Sequence, residues 1–232
     1  YSSGLHGKET PEARSEGSSS HGYGCSYFLW TTTSGEYMSY LPPVLRAAKA
    51  LDYDVFDGDA EYDLNIVGVR NKISRRRPDL YADDMHVYWK QSGIWRCFNA
   101  AMTTTPGEYY LVHPMRPSQG CAIMAPGQYR GAYKRGLHKG TQALRQQKKV
   151  NYYRDNDRDT ELDMDPSTLR SGIAYLNIHR GGRSERVGRW SAGCQVLHPE
   201  DMQFLVDLCD KQISVNGWES FTYTLLTEDQ LR

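Results

Sequence analysis

The chain has 232 residues and 39% hydrophobic content, enough for one substantial core or for one domain with an appended segment. Its 28 basic and 28 acidic residues balance, so net charge gives no general reason to expect binding to nucleic acid or to an anionic membrane. No apolar run reaches the length of a membrane span, so membrane insertion is not expected. The five cysteines form no C-x-x-C pair and are too scattered for a disulfide framework.

Residues 1–38 are predicted to lie outside the main domain. Residues 1–24 are dominated by Ser, Gly, His and charged residues and predict a polar tail. An aromatic-rich arm follows, and residues 39–232 are expected to form the folded domain. The N-terminus shows neither the basic nor the apolar region of an export signal, but a chain that begins at Tyr1 instead of Met leaves a removed leader open.

The next part of the chain predicts one helix and then closely spaced strands. Pro42 and Pro43 precede apolar residues at helical spacing, which predicts a helix continuing to Leu51. A basic turn at 75–78 is predicted to be a solvated loop, with a contact to an anionic polymer as the alternative. Four β-rich runs are predicted to be strands, and their close spacing favours an antiparallel sheet system. The runs are 64–69, 87–89, 94–98 and 109–112.

Residues 129–138 carry aromatic and charged side chains among glycines, which is unusual for a core strand. The composition suits a cleft wall whose side chains end in hydrogen-bonding groups, and an exposed polar loop is the equal alternative.

An acidic segment at 155–163 partly matches a calcium-binding loop. Thr160 stands where such a loop has Gly, and Pro166 replaces the bidentate Glu, so an ordinary acidic loop is the competing interpretation. The candidate ligands of a structural calcium ion are Asp155, Asp157, Asp159 and Asp163.

The C-terminal part predicts a helix after Pro199, from apolar residues at helical intervals, and a closing strand over 221–225.

Before that helix, an apolar run ends at His179, and a Gly-Cys turn at Gly193 and Cys194 follows a polar loop. A thiol next to an imidazole is a potential nucleophile, and Gly193 permits a tight turn that aims amides at an oxyanion. The competing interpretation is an inert buried cysteine and a structural histidine.

His179 followed by Ser191-x-Gly193-Cys194 resembles the catalytic signature of the L,D-transpeptidase (YkuD-type) family. The segment 104–109, Thr-Thr-Pro-Gly-Glu-Tyr, is also similar to the Thr-Pro-x-Gly segment at which a strand starts in that family. The resemblance covers roughly residues 62–226. Within it, 126–133 and 190–196 look closest to a branch found among bacteriophage and Bacteroides-type proteins.

The resemblance implies a mainly β fold, an L,D-transpeptidase-like curved β-sandwich with a few short helices. It implies acyl transfer on peptidoglycan stem peptides, with Cys194 as nucleophile, His179 as base, and Ser191 and Gly193 in the catalytic turn. No cofactor is required by that chemistry. The side chains expected to contact substrate are Tyr133, His138, Arg130, Trp190 and Gln195.

Three outcomes are compatible with the sequence. A thioester resolved by an amine gives a cross-link, and one resolved by water gives a carboxypeptidase or endopeptidase, as in a phage lysin. The family commonly has His before the Gly-Cys and Arg after it, where this chain has Ala192 and Gln195, so a non-catalytic wall-binding or virion structural module stays open. Each outcome implies a location in the cell wall, the periplasm or a virion, and none indicates an oligomeric state.

Overall fold

In the computed structural model of the chain, residues 29–31, 37–39 and 41–232 are described, the first two segments by their backbone alone. The predicted polar tail and most of the aromatic arm lie outside the described residues. The strands are β1 Leu29–Thr31, β2 Tyr37–Ser39, β3 Asn65–Arg70, β4 Asp83–Gln91, β5 Ile94–Thr103, β6 Cys121–Met124, β7 Gly127–His138, β8 Thr141–Gln146, β9 Val150–Asp155, β10 Arg170–Gly172, β11 Ile178–Arg180, β12 Gln195–Leu197 and β13 Ser220–Thr227.

Four α-helices accompany the strands, and 3-10 turns occupy Pro166–Thr168, Gly188–Trp190 and Glu228–Leu231. The helices are α1 Pro43–Ala50, α2 Lys72–Arg76, α3 Glu108–Val112 and α4 Pro199–Asn216. Helices α1 and α4 confirm the two predicted helices, and in each a proline occupies the first turn, where no backbone donor is lost. None of the described helices is both long and apolar enough to cross a membrane.

Eight strands close into a barrel in the order β11-β12-β5-β4-β3-β13-β7-β8, and β8 pairs with β11 to complete it. A separate sheet, β10-β9-β6, lies outside this closed sheet, and β1 pairs with β2. The expectation of a mainly β chain with few helices is confirmed. Where the resemblance implied a curved β-sandwich, the main sheet is a single closed one, because β8 pairs with β11. Most pairs are antiparallel as predicted, but β11 with β12 and β3 with β13 are parallel.

The main core fills the barrel and extends to the buried face of α4. Strand β3 shows how the layers form, because all six of its residues are buried. Ile66 belongs to the barrel core, whereas Val67 and Val69 pack with Val44 and Leu45 of α1 on the outside. Successive strand residues point to opposite faces, so a strand covered on both faces is apolar on both.

Two local predictions were wrong. Tyr109–Val112 was expected to be a strand, but these residues lie in α3, which begins after Gly107. The reason is tertiary contact: Gly107 N–H donates to Ser191 O at 2.9 Å, and a Cβ at Gly107 would lie 2.2 Å from Gly188 O. The chain turns there, so the 104–109 segment follows β5 and leads into α3 instead of starting a strand. The basic turn at 75–78 was expected to be a loop, and its first two residues instead complete α2.

Candidate active site

Two adjacent parallel strands bring His179 and Cys194 to the same side of the sheet. Ile178 of β11 is in register with Gln195 of β12, and both are fully buried. Ile178 belongs to the barrel core, so the residue after it, His179, faces outward. Cys194 precedes Gln195 by one residue and faces the same way. Both side chains line one cleft of about 220 Å³ on the outside of the barrel.

His179 is a neutral base with one free nitrogen. Its Nδ1 lies 2.7 Å from Arg180 O, so Nδ1 carries the proton and donates it to that carbonyl. Nε2 then holds the lone pair, and it is buried with no partner among the described residues. Burial lowers the pKa of His179 to about 4, although the bond to Arg180 opposes the shift. The ring is therefore uncharged at neutral pH.

Cys194 is a half-buried free cysteine. Its S–H donates to Tyr175 O at 3.4 Å, and the described chain contains no hydrogen bond between this sulfur and His179. Burial raises the pKa of the Cys194 thiol to about 11. Thiol and imidazole are thus both neutral at pH 7, and a nucleophilic role of this sulfur would require the thiol to lose its proton.

The turn before Cys194 is held by Ser191. Its Oγ lies 2.9 Å from Thr105 O and 2.8 Å from Cys194 O, and it accepts the Gly193 N–H at 3.1 Å. The Gly193 N–H is therefore already used within the turn and is not free to bind an oxyanion. The Cys194 N–H has no acceptor among the described residues and can donate to substrate.

Gly193 is required by its surroundings. Its φ is +122°, and a Cβ there would lie 2.0 Å from Ala122 O of β6. No larger residue fits against that carbonyl, so Gly193 lets the turn press directly on the second sheet.

A second histidine covers the base. The His138 ring stacks on the His179 ring with centroids 4.2 Å apart. His138 Nδ1 lies 3.1 Å from Asn177 Nδ2, and Asn177 Oδ1 accepts the Gln146 N–H at 2.9 Å. The amide orientation makes Nδ2 the donor, so His138 Nδ1 accepts and its Nε2 carries the proton. Asn177 was not among the site residues predicted from the sequence, although a polar residue inside an apolar run is a signal for one.

The predicted substrate residues divide between the cleft and other places. His138 and Trp190 line the cleft. Tyr133 and Gln195 are fully buried: Tyr133 OH donates to Leu176 O at 2.9 Å, and Gln195 accepts a bond from Tyr223. Neither is offered to a ligand, because alternation along β7 and β12 turns both inward. Arg130 lies at a different cavity and pairs with Asp54.

The cleft is rich in positive charge. Its cationic lining residues are Arg116, Lys139, Arg154 and Arg189, and within the described structure no Asp or Glu lines it. None of the four was assigned to the site from the sequence, since they come from separate segments and only the fold brings them together.

The acidic loop at 155–163 carries the four predicted calcium ligands. Among the described residues, no group of three or more His, Cys, Asp or Glu side chains is arranged to hold a metal ion. Asp155 is buried, with Oδ2 accepting the Asp163 N–H at 3.0 Å and Oδ1 unpartnered in the described structure. Burial, with repulsion from Asp157, Asp163 and Asp159, raises the pKa of Asp155 to about 6. The calcium assignment stays a prediction.

Comparisons with known proteins add no relative. No family model matches the chain, and no curated protein or solved structure gives a significant match. Function must therefore be inferred from the chemistry of the cleft.

Proposed function

We propose that this protein is a cysteine acyltransferase of the L,D-transpeptidase type that acts on peptidoglycan stem peptides. The observation that supports the proposal most directly is the pair at β11 and β12. A free thiol and a neutral imidazole, whose Nε2 has no partner among the described residues, line one cleft from adjacent strands. Nothing in an inert packing role requires a buried imidazole nitrogen to stay unpartnered.

The proposed reaction starts from the neutral pair. At rest, the Cys194 S–H donates to Tyr175 O. As the sulfur attacks the amide carbonyl, a C–S bond forms and the thiol proton is transferred to His179 Nε2. The carbonyl oxygen becomes an oxyanion that the free Cys194 N–H binds. Collapse breaks the C–N bond, and the imidazolium returns the proton to the leaving amine. A thioester remains on Cys194.

The thioester is then resolved in one of two ways. An amine acceptor gives a cross-link and regenerates the thiol, and water gives a free carboxylate and hence a wall hydrolase. His179 Nε2 takes the proton of either nucleophile and passes it to the departing sulfur. This substrate implies work in the cell wall, the periplasm or a virion. The proposed fold relationship is an L,D-transpeptidase-like sheet, closed here into a barrel.

Incubation of the protein with purified muropeptides, followed by intact mass spectrometry, tests the proposal. We expect an acyl adduct on the wild-type chain that maps to Cys194 and is absent from Cys194→Ala. Cys209→Ala is the matched control, because Cys209 is a free thiol buried on α4 away from the cleft, and it should retain the adduct. Product masses separate cross-linking from hydrolysis. Unmodified wild-type protein that still binds cell walls would instead support the non-catalytic module.

A further inference from the structure

The cleft around Cys194 has a different charge from the rest of the protein. The chain as a whole is neutral, with 28 basic and 28 acidic residues. Four basic side chains nevertheless line the cleft, and the described lining contains no carboxylate. An even mixture of charges is the expectation for an ordinary surface, so this separation needs a reason.

The cleft cations are also unpaired. No ion pair in the described part of the chain includes Arg116, Lys139, Arg154 or Arg189. Arg183 and Lys72 outside the cleft contact carboxylates, so part of the surface charge is paired there. The cleft cations therefore keep donors free for a negatively charged ligand.

Two of these cations are held in position by aromatic rings. The Arg189 guanidinium lies 3.8 Å from the Tyr109 ring centroid, and that of Arg154 lies 4.9 Å from the Tyr152 ring centroid. Arg154 also donates through Nη1 to Gly120 O at 3.3 Å. Stacking leaves the edge of a guanidinium free to donate while restricting its movement, which reduces the entropy lost on binding.

Lys139 is the cation placed to act on the reacting groups. It follows His138 at the turn between β7 and β8, with a φ of +47°. Its charge lowers the pKa values of His179 and Cys194, so its field reaches both. The carboxyl next to Arg154, Asp155, is buried and does not line the cleft, so it does not occupy the donors that Arg154 offers there.

We propose that the acyl donor of this site is an anionic peptide, whose free carboxylates are bound by Lys139 and Arg154 beside the scissile carbonyl. The inference rests on the proposed function, whose stem peptides carry free carboxylates, and assigns two residues that determine specificity for them. Gln195 carries no charge and is buried, so carboxylate recognition comes from the β7–β8 turn and β9 instead of from the residue after the cysteine.

Alkylation of Cys194 provides a test that does not need enzymatic activity. Iodoacetate and iodoacetamide form the same S–C bond and release iodide, but only iodoacetate is an anion. We expect the ratio of their rate constants at Cys194, mapped by peptide mass spectrometry, to fall about 3- to 10-fold in the Lys139→Gln/Arg154→Gln double variant, and salt of about 1 M to lower the wild-type ratio similarly. Lys211→Gln, which removes an exposed cation on α4, is the matched control and should leave the ratio unchanged. Equal ratios in the wild type and the double variant would overturn the inference.

A substrate pair then separates this inference from the proposed function. Stem peptides that carry free carboxylates are compared with their carboxamide counterparts, and we expect amidation to lower kcat/KM about 10- to 100-fold, mainly through KM. The double variant should process both forms equally. Turnover of acid and amide at equal rates, with an unaltered alkylation ratio, would refute the anionic donor while leaving acyl transfer intact. An altered alkylation ratio without turnover of any stem peptide would support anion selection in the cleft and refute the proposed function.

Discussion

Replacement of Asp155 by Asn should stabilise the protein at neutral pH. Asp155 is 2% exposed, and its Oδ1 has no partner among the described residues, so its negative charge is poorly solvated. Burial and repulsion raise its pKa from 3.8 to about 6. An amide of nearly the same shape keeps the acceptor for Asp163 N–H and removes the charge. The energetic gain is therefore the cost of ionising a buried carboxyl.

The size of the effect follows from the pKa shift. About two pKa units at about 1.4 kcal/mol each give close to 3 kcal/mol, and screening near the exposed loop reduces this to about 2 kcal/mol. Because the folded-state pKa is raised, the protonated group favours folding fully below the unfolded pKa near 3.8. That contribution is lost as the pH rises through the folded-state pKa of about 6. Above that pH the folded wild-type protein carries a buried, ionised carboxylate at Asp155, which destabilises it. For a domain of this size, about 2 kcal/mol corresponds to roughly 4–8 °C in Tm.

Thermal melts of wild type and Asp155→Asn at pH 4 and pH 7.5 measure this difference. The variant should melt higher at the upper pH and nearly equally at the lower one, where the wild-type carboxyl is largely protonated. Asp59→Asn, at an exposed carboxyl, is the control and should change little. A variant no more stable than wild type at pH 7.5, or equally stabilised at both pH values, would refute the reasoning.

If the loop binds calcium, millimolar Ca²⁺ should raise the Tm of wild type and not that of Asp155→Asn. A wild-type Tm that changes with neither calcium nor chelator would refute the prediction that this loop binds calcium.

Three further predictions concern the cleft. Cys194→Ala and His179→Ala should each lower muropeptide turnover on the order of 10³-fold or more, with the Tm of Cys194→Ala nearly unchanged, and substantial residual turnover in either would contradict its role. Iodoacetamide should react with Cys194 about tenfold faster per pH unit between pH 7 and 10, because the thiol pKa is about 11, whereas a rate plateau near pH 7 would show a resting thiolate. Gly193→Ala should cost about 3 kcal/mol of folding free energy in chemical denaturation, because its Cβ would lie 2.0 Å from Ala122 O, and Gly58→Ala, with open space around it, should be nearly neutral.

The two proposed reacting residues were accessible from the sequence because local signals mark them. An apolar run ending in His179 and a Gly-Cys turn are short-range patterns, and the strands on either side preserve their outward alternation. Helices α1 and α4 were predicted for a similar reason, since a proline followed by apolar residues at helical spacing depends only on the local chain.

Barrel closure, helix α3 and the inward orientation of Gln195 could not be predicted from the sequence, because they depend on contacts between distant segments. Barrel closure requires β8 to pair with β11, and no local pattern specifies that partner. Helix α3 replaces a predicted strand because Gly107 packs against the Gly188 carbonyl, so tertiary contact overrides β propensity. Gln195 was expected at the substrate because it follows Cys194, yet alternation turns it inward to Tyr223. Composition alone did not distinguish the two faces of that strand.

His179 on β11 and Cys194 before β12 are held near each other by strand pairing and not by the loop that connects the two strands. β11 is anchored on its other side by β8, and β12 by β5, while residues 183–186 between them are exposed. A backbone cut between Arg183 and Glu185 would leave both strands attached to their outer neighbours. Two separately expressed fragments, one ending after the histidine and the other beginning before the cysteine, would each lack half of the site and would regain it by completing the same barrel. The protein is in this sense a natural candidate for splitting into two fragments that reassemble.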